Sequence, residues 1–185
     1  MSYFRRMLLV VAITLCGCAL PVKAEVTSDE SKLLQKTIGC TGGEPDKICF
    51  IVDNYGADEK KGVENLTFWK AKDLVEREGI IIAVKHKCYS ACVLLIDWIP
   101  ASACVYESAL LGFHQTFYPK KGLHGEFSPN PYRNPRLRTW IASKGGERAS
   151  RAEKDLRVLT GIEAIQLLVW RDCDVVLNKG KVASK

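Results

Sequence analysis

Two apolar runs lie almost end to end in this chain: Ile80-Ile81-Ile82-Ala83-Val84 and Val93-Leu94-Leu95-Ile96. Between them stand Lys85-His86-Lys87 and then Cys88-Tyr89-Ser90-Ala91-Cys92. The first run is mostly β-branched and short, which suits a strand buried on both faces. The second follows a serine, a residue type favoured at helix N-caps, and is stopped by Pro100, so it predicts a helix over about 91–99. A buried strand that runs into a buried helix has to return to a neighbouring strand, and that βαβ arrangement implies a mainly parallel sheet.

The flanking sequence extends the alternation. Residues 47–52 read as a strand, broken by Asp53-Asn54-Tyr55-Gly56. A helix is expected over 63–78, with Leu66, Trp69, Leu74 and Val75 near one face and Gly79 as its stop. Two short strands are expected at 104–106 and 109–114. Four prolines between residues 116 and 136 predict an exposed loop. Mixed helical patterns follow at 137–143, 149–159 and 162–169. No repeat marks a second unit, so one α/β domain is expected over 48–177, after a polar segment at 25–47 and before a tail at 178–185.

The first 24 residues have the parts of an export signal: Arg5 and Arg6, an apolar run over 7–20, and Val22-Lys23-Ala24 as the cleavage site. A periplasmic or secreted protein is expected. The alternative is a lipid anchor at Cys18, in Leu15-Cys16-Gly17-Cys18, and membrane attachment only in that case. Cleavage after Ala24 removes Arg5, Arg6 and Lys23 and no acid, so the formal charge of +6 falls to +3. Basic residues are scattered among acids and not clustered beside aromatics, which argues against nucleic acid as a partner. The cysteines left are Cys40, Cys49, Cys88, Cys92, Cys104 and Cys173, an even set that favours disulfides in an exported chain. Cys40 and Cys49 flank a turn-rich stretch and are the first pair expected. A metal site of His86, Cys88 and Cys92 lacks a second matching pair, and neither metal nor cofactor is expected.

A serine becomes a nucleophile when a base takes its proton and donors hold the oxyanion that forms. If Ser90 starts a helix, the Ala91 amide is such a donor. On position alone Ser90 is a helix cap. His114 changes this, because it ends the apolar strand at 109–113 just before polar Gln115-Thr116. Of the other histidines, His124 lies among glycines and His86 precedes Ser90 too closely, so His114 is the best-placed base.

Ile-Ile-Ile-Ala-Val, then Cys-Tyr-Ser-Ala-Cys, then Ala-Leu-Leu-Gly-Phe-His-Gln resemble the Clp protease proteolytic subunit, and more closely its exported relatives in the Clp protease and crotonase superfamily. The resemblance implies stacked βαβ units, a Ser90 nucleophile, a His114 general base and an Ala91 oxyanion donor. It takes a second donor from a glycine pair that is missing here, with Gly62 nearest in position and Gly56 as the alternative. It sets Asp174 on the orienting aspartate, with Asp172 as the alternative; the other reading of both is a polar strand edge. A peptide or protein substrate follows, and self-association, since family members form rings or trimers. The expected activity is that of an exported serine hydrolase, peptidase-like, working through an acyl-enzyme. The alternative is a catalytically silent member of the fold that serves as a periplasmic binding or assembly module. The remaining cysteines would then brace the turn, with Cys88 bonded to Cys104 across the helix and Cys92 facing the core or pairing with Cys173.

Overall fold

A computed structural model describes residues 28–41, 47–54, 65–118, 126–150 and 152–182. Its centre is β3 (Ile81–Tyr89), longer than the apolar run that announced it. The strand continues past Lys85 and His86 because the ladders on both of its edges resume at Lys87, and the Ser108 hydroxyl donates to the Lys85 carbonyl at 2.7 Å. Asp53 and Asn54 of β2 (Ile48–Asn54) pair with Lys87 and Cys88 in parallel on one side. On the other side β4 (Ala103–Val105) pairs with Ile82–Val84, and β5 (Leu110–Phe113) pairs with Lys87–Tyr89, both in parallel. A charged segment can thus remain in a strand when the ladder is paired before and after it.

The seven-stranded sheet is completed by β1 (Cys40–Thr41), antiparallel to β2, by β8 (Arg157–Thr160), antiparallel to β5, and by β9 (Arg171–Asp172), parallel to β4. The result is a single α/β domain with a mixed, mainly parallel sheet. One face is covered by α1 (Ser28–Ile38), α2 (Asn65–Glu78), α3 (Ala91–Trp98) and α4 (Pro135–Ser143). The other is covered by α6 (Cys173–Val182) around Ala83, Cys104 and Cys173. Gly79 has φ +63 and ends α2 as expected.

Several expectations are corrected. Residues 28–38 are not a polar lead-in but a helix whose Leu34 and Ile38 enter the core. Trp69 turns away from the sheet and stacks edge-on against Trp98, with ring centroids 4.8 Å apart, leaving Phe68, Ala71, Leu74 and Val75 as the buried side of α2. The 116–136 segment contains a hairpin of β6 (Thr116–Tyr118) and β7 (Glu126–Ser128), with Phe117 against Phe127 at 5.1 Å. Its Tyr132 is buried against Phe113. Residues 157–160 form a strand and not the end of a helix, because the free edge of β5 offers a partner that local propensity cannot anticipate. The helix that starts at Cys173 runs through Val182, beyond the tail boundary at 178.

Between β8 and β9, α5 (Gly161–Gln166) begins with a capping box in which Thr160 Oγ1 accepts from the Glu163 N–H and the Glu163 carboxylate accepts from the Thr160 N–H and hydroxyl. Those bonds from Thr160 hold the Glu163 carboxyl below its ordinary range. A carboxyl whose folded value lies below its unfolded one stabilises above the unfolded value, and that contribution is lost as pH falls through the folded one. Thr160→Val is expected to cost about 1 kcal/mol at neutral pH and only slightly less in acid, because the bond from the Glu163 N–H to the hydroxyl does not titrate and the backbone N–H at 160 still holds the carboxylate. Urea titrations at the two pH values check this.

Candidate active site

The turn from β3 into α3 is sharp, and Ser90 makes it. Its φ of 57° and ψ of −120° lie where residues with a side chain are uncommon, at a cost of about 1–3 kcal/mol. Although Ser90 occupies the N-cap position, its side chain makes no capping bond. The strained strand–Ser–helix turn is the device that lifts a nucleophilic hydroxyl clear of its sheet in hydrolases of other folds. It also leaves the first amides of α3, beginning with Ala91, without partners inside the helix and at the positive end of its dipole.

Three features hold the turn. The Ser90 N–H donates to the Gly112 carbonyl at 2.9 Å, and the Leu94 N–H donates to the Ser90 carbonyl at 3.2 Å. The Tyr89 ring lies over Gly112, where an added Cβ would stand 2.5 Å from Tyr89 Cδ1, so only glycine fits opposite it. Cys88 and Cys92 are bonded to each other across the turn, with Cα atoms 5.4 Å apart and both residues fully buried. In the chain-entropy model, closing a loop this short contributes about 2 kcal/mol, enough to offset the strain at Ser90.

His114 follows β5 at the same end of the sheet. Tyr89 pairs with Gly112, so Ser90 and His114 leave neighbouring parallel strands, which run about 4.8 Å apart. The ring is half-buried, and its Nδ1 lies 2.6 Å from the Gln115 carbonyl oxygen. A carbonyl can only accept, so Nδ1 carries the proton and Nε2 the lone pair that a general base needs. The peptide between the two residues is fixed from both sides. Asn130 Nδ2 donates to the His114 carbonyl at 2.5 Å, and the Gln115 N–H donates to the Arg148 carbonyl at 3.0 Å. Asn130 is in turn held by Glu147, whose carboxylate accepts from its N–H and its Nδ2 at 2.8 Å each, and by the Thr116 hydroxyl on its Oδ1. Beneath this network the Tyr132 phenol is pushed well above its ordinary range by burial, reinforced by the Glu147 carboxylate.

The segment that carries Asn130 is anchored from below. Asp97, buried at the end of α3, accepts from the N–H groups of Arg133 and Asn134 at 2.5 and 3.2 Å, and burial raises its carboxyl pKa. Asn134 then caps α4 through its side chain. The helix that starts after Ser90 therefore ends by positioning the loop that holds the His114 backbone.

The other expected site residues are placed less favourably. Asp172 pairs with Val105, which is level with Val84 on β3, and the distance from Val84 to Tyr89 alone is about 16 Å. Asp172 Oδ1 accepts from the Asp174 N–H, and the two acids lie beside Tyr106, whose pKa is raised by burial and then by their charges. Neither carboxylate is brought to His114, and the Gln115 carbonyl occupies the orienting position instead. Gly62 and Gly56 lie outside the described residues, as do residues 1–24 and Cys18; β2, the described element that precedes both glycines in the chain, finishes beside Cys88.

Cys40 is bonded to Cys49, as its turn-flanking position indicated. The expected Cys88–Cys104 and Cys92–Cys173 pairs are replaced by Cys88–Cys92 and Cys104–Cys173. Cys104 pairs in register with Ala83 and joins the α6 face, whereas Cys88 lies five residues up the strand from Ala83 and faces the α3 side. A bond between them would have to pass through the sheet. With Cys88 and Cys92 bonded to each other, neither is a thiolate for metal, and His86 pairs instead with Asp53 through Nδ1 at 2.8 Å.

Sequence reading missed Asn130 and Glu147. A signal was present, since Asn130 sits between Pro129 and Pro131, a rigid setting for a polar side chain. No family model matches the chain, and no curated protein matches it at a significant level.

Proposed function

We propose that the chain is an exported serine hydrolase, peptidase-like, that works through an acyl-enzyme. The observation that carries this reading is Ser90 at positive φ between a strand end and a helix start, next to the strand that delivers His114. His114 Nε2 takes the Ser90 proton as Oγ bonds to the acyl carbon of a peptide or related substrate. The oxyanion forms against the Ala91 amide. The imidazolium then protonates the leaving group, and water repeats the sequence to release the acid.

The Gln115 carbonyl supplies the tautomer that a triad carboxylate would set, but it brings no negative charge toward the imidazolium. The same observation favours a second reading, a silent fold in which Ser90 and His114 are retained for shape and the protein serves as a binding or assembly module. Three disulfides join all the described cysteines and suit an oxidising compartment; no described helix is long and apolar enough to cross a membrane. Periplasmic or secreted placement accords with the disulfides, and lipidation at Cys18 is the variant of it. A fluorophosphonate probe separates the readings: the enzyme forms an adduct that Ser90→Ala abolishes, and the silent fold forms none.

A further inference from the structure

Of the three disulfides, one spans the candidate nucleophile. Cys104–Cys173 ties β4 to the start of α6 on the opposite face of the sheet, and Cys40–Cys49 ties β1 to β2. Cys88–Cys92 closes over Tyr89, Ser90 and Ala91 alone, joining the end of β3 to the first turn of α3.

Without that bridge, the turn has an ordinary alternative. Serine at an N-cap prefers the extended region, with its hydroxyl accepting from an amide of the first helical turn. In that form Ser90 Oγ occupies the donors that an oxyanion needs and swings away from the end of β5. The oxidised chain shows the other arrangement: φ is 57°, and the side chain makes no capping bond. The two forms of Ser90 are therefore a cap and a nucleophile, and the bridge discriminates between them.

We infer that the Cys88–Cys92 disulfide is a positioning element that holds Ser90 in its attacking conformation, so that the site becomes competent only when the chain is oxidised. Forming the bridge takes two electrons and two protons from the two thiols, passed to a partner disulfide that is reduced to a dithiol. Both cysteines are fully buried, so the bridge is set as the chain folds and does not cycle in the finished protein. A chain still in a reducing compartment would carry Ser90 as a cap and remain inactive until export. The activity half of this inference rests on the hydrolase reading.

The test compares Cys88→Ala/Cys92→Ala with Cys40→Ala/Cys49→Ala, each without one bridge, for fluorophosphonate labelling rate, thermal stability and the φ-sensitive NMR couplings of Ser90. The Cys88/Cys92 pair is expected to fold, to label about 30-fold more slowly than wild type, and to move Ser90 to negative φ. The control pair is expected to label at close to the wild-type rate with Ser90 unchanged. A folded Cys88/Cys92 variant that keeps Ser90 at positive φ and labels like wild type overturns the inference. If wild type does not label, the hydrolase reading falls and the couplings alone decide the positioning claim. Should the alanine pair not fold, Cys88→Val/Cys92→Ala refills the apolar volume. Failure of that pair too would contradict the inference, since it would assign the bridge to the whole fold and not to the turn.

Discussion

His114→Gln is expected to slow acylation of Ser90 by about 10²- to 10⁴-fold, the usual contribution of a positioned general base. Stability should be little affected. The backbone of His114, and not its ring, is what Asn130 holds, and the Gln115 N–H bond to Arg148 is indifferent to the side chain. The pH profile provides the discriminating readout. In wild type, labelling should rise as the imidazole loses its proton, whereas the glutamine variant should lose that limb, leaving only the slow attack of unassisted hydroxyl. Stopped-time labelling across pH, with thermal melts in parallel, measures both. An equal fall in rate and in melting temperature would mean that the ring serves the fold and not the chemistry.

Gly161→Ala is expected to have the largest effect on stability, about 3 kcal/mol or more, lowering the melting temperature by roughly 10 °C. A Cβ at this first residue of α5 would lie 2.0 Å from the Tyr106 carbonyl oxygen and 2.9 Å from that of Glu107, and the Gly161 N–H already donates to the Ala109 carbonyl at 2.7 Å. Backbone is met on every side, and no rotamer relieves it. The segment it would displace, Tyr106 to Ala109, is the bend that carries the chain from β4 to β5 along a shared edge of β3. That bend sets the register that places His114 beside Ser90, so activity should fall with stability. Gly79→Ala provides the contrast: it has φ +63 and nothing within 4 Å, so only the left-handed backbone is penalised, at about 1 kcal/mol. Thermal melts of the two variants test whether close approach or backbone conformation dominates.

The chain positions of Ser90 and His114, a strand-to-helix turn and a strand end, were legible in sequence because each is a local event. A β-branched run meeting an apolar helix locates Ser90, and a polar step after Phe113 locates His114. What local pattern cannot convey is which strand lies beside which, and at what height. Cys88 and Cys104 are close in the chain, yet a difference of five residues along β3 and opposite facing put them in separate cores. Residues 157–160 became a strand only because β5 had an open edge. The same holds for Asp172: its short strand pairs with β4, low on the sheet, and the distance from His114 follows from register and not from spacing. Asn130 reaches the His114 carbonyl from a loop whose path depends on Asp97 at the far end of α3, and Glu147 holds Asn130 from beyond α4. The glycines expected to complete the oxyanion site lie outside the described residues.

The central claim is that Ser90 is a nucleophile, and covalent capture addresses it most directly. The oxidised chain, with Cys88 and Cys92 bonded, is incubated with a fluorophosphonate and analysed by intact mass and peptide mapping. The account predicts a single stoichiometric adduct on Ser90, absent from Ser90→Ala and slowed in His114→Gln. No adduct on the folded, oxidised protein, under conditions where a control serine hydrolase is fully labelled, would contradict it.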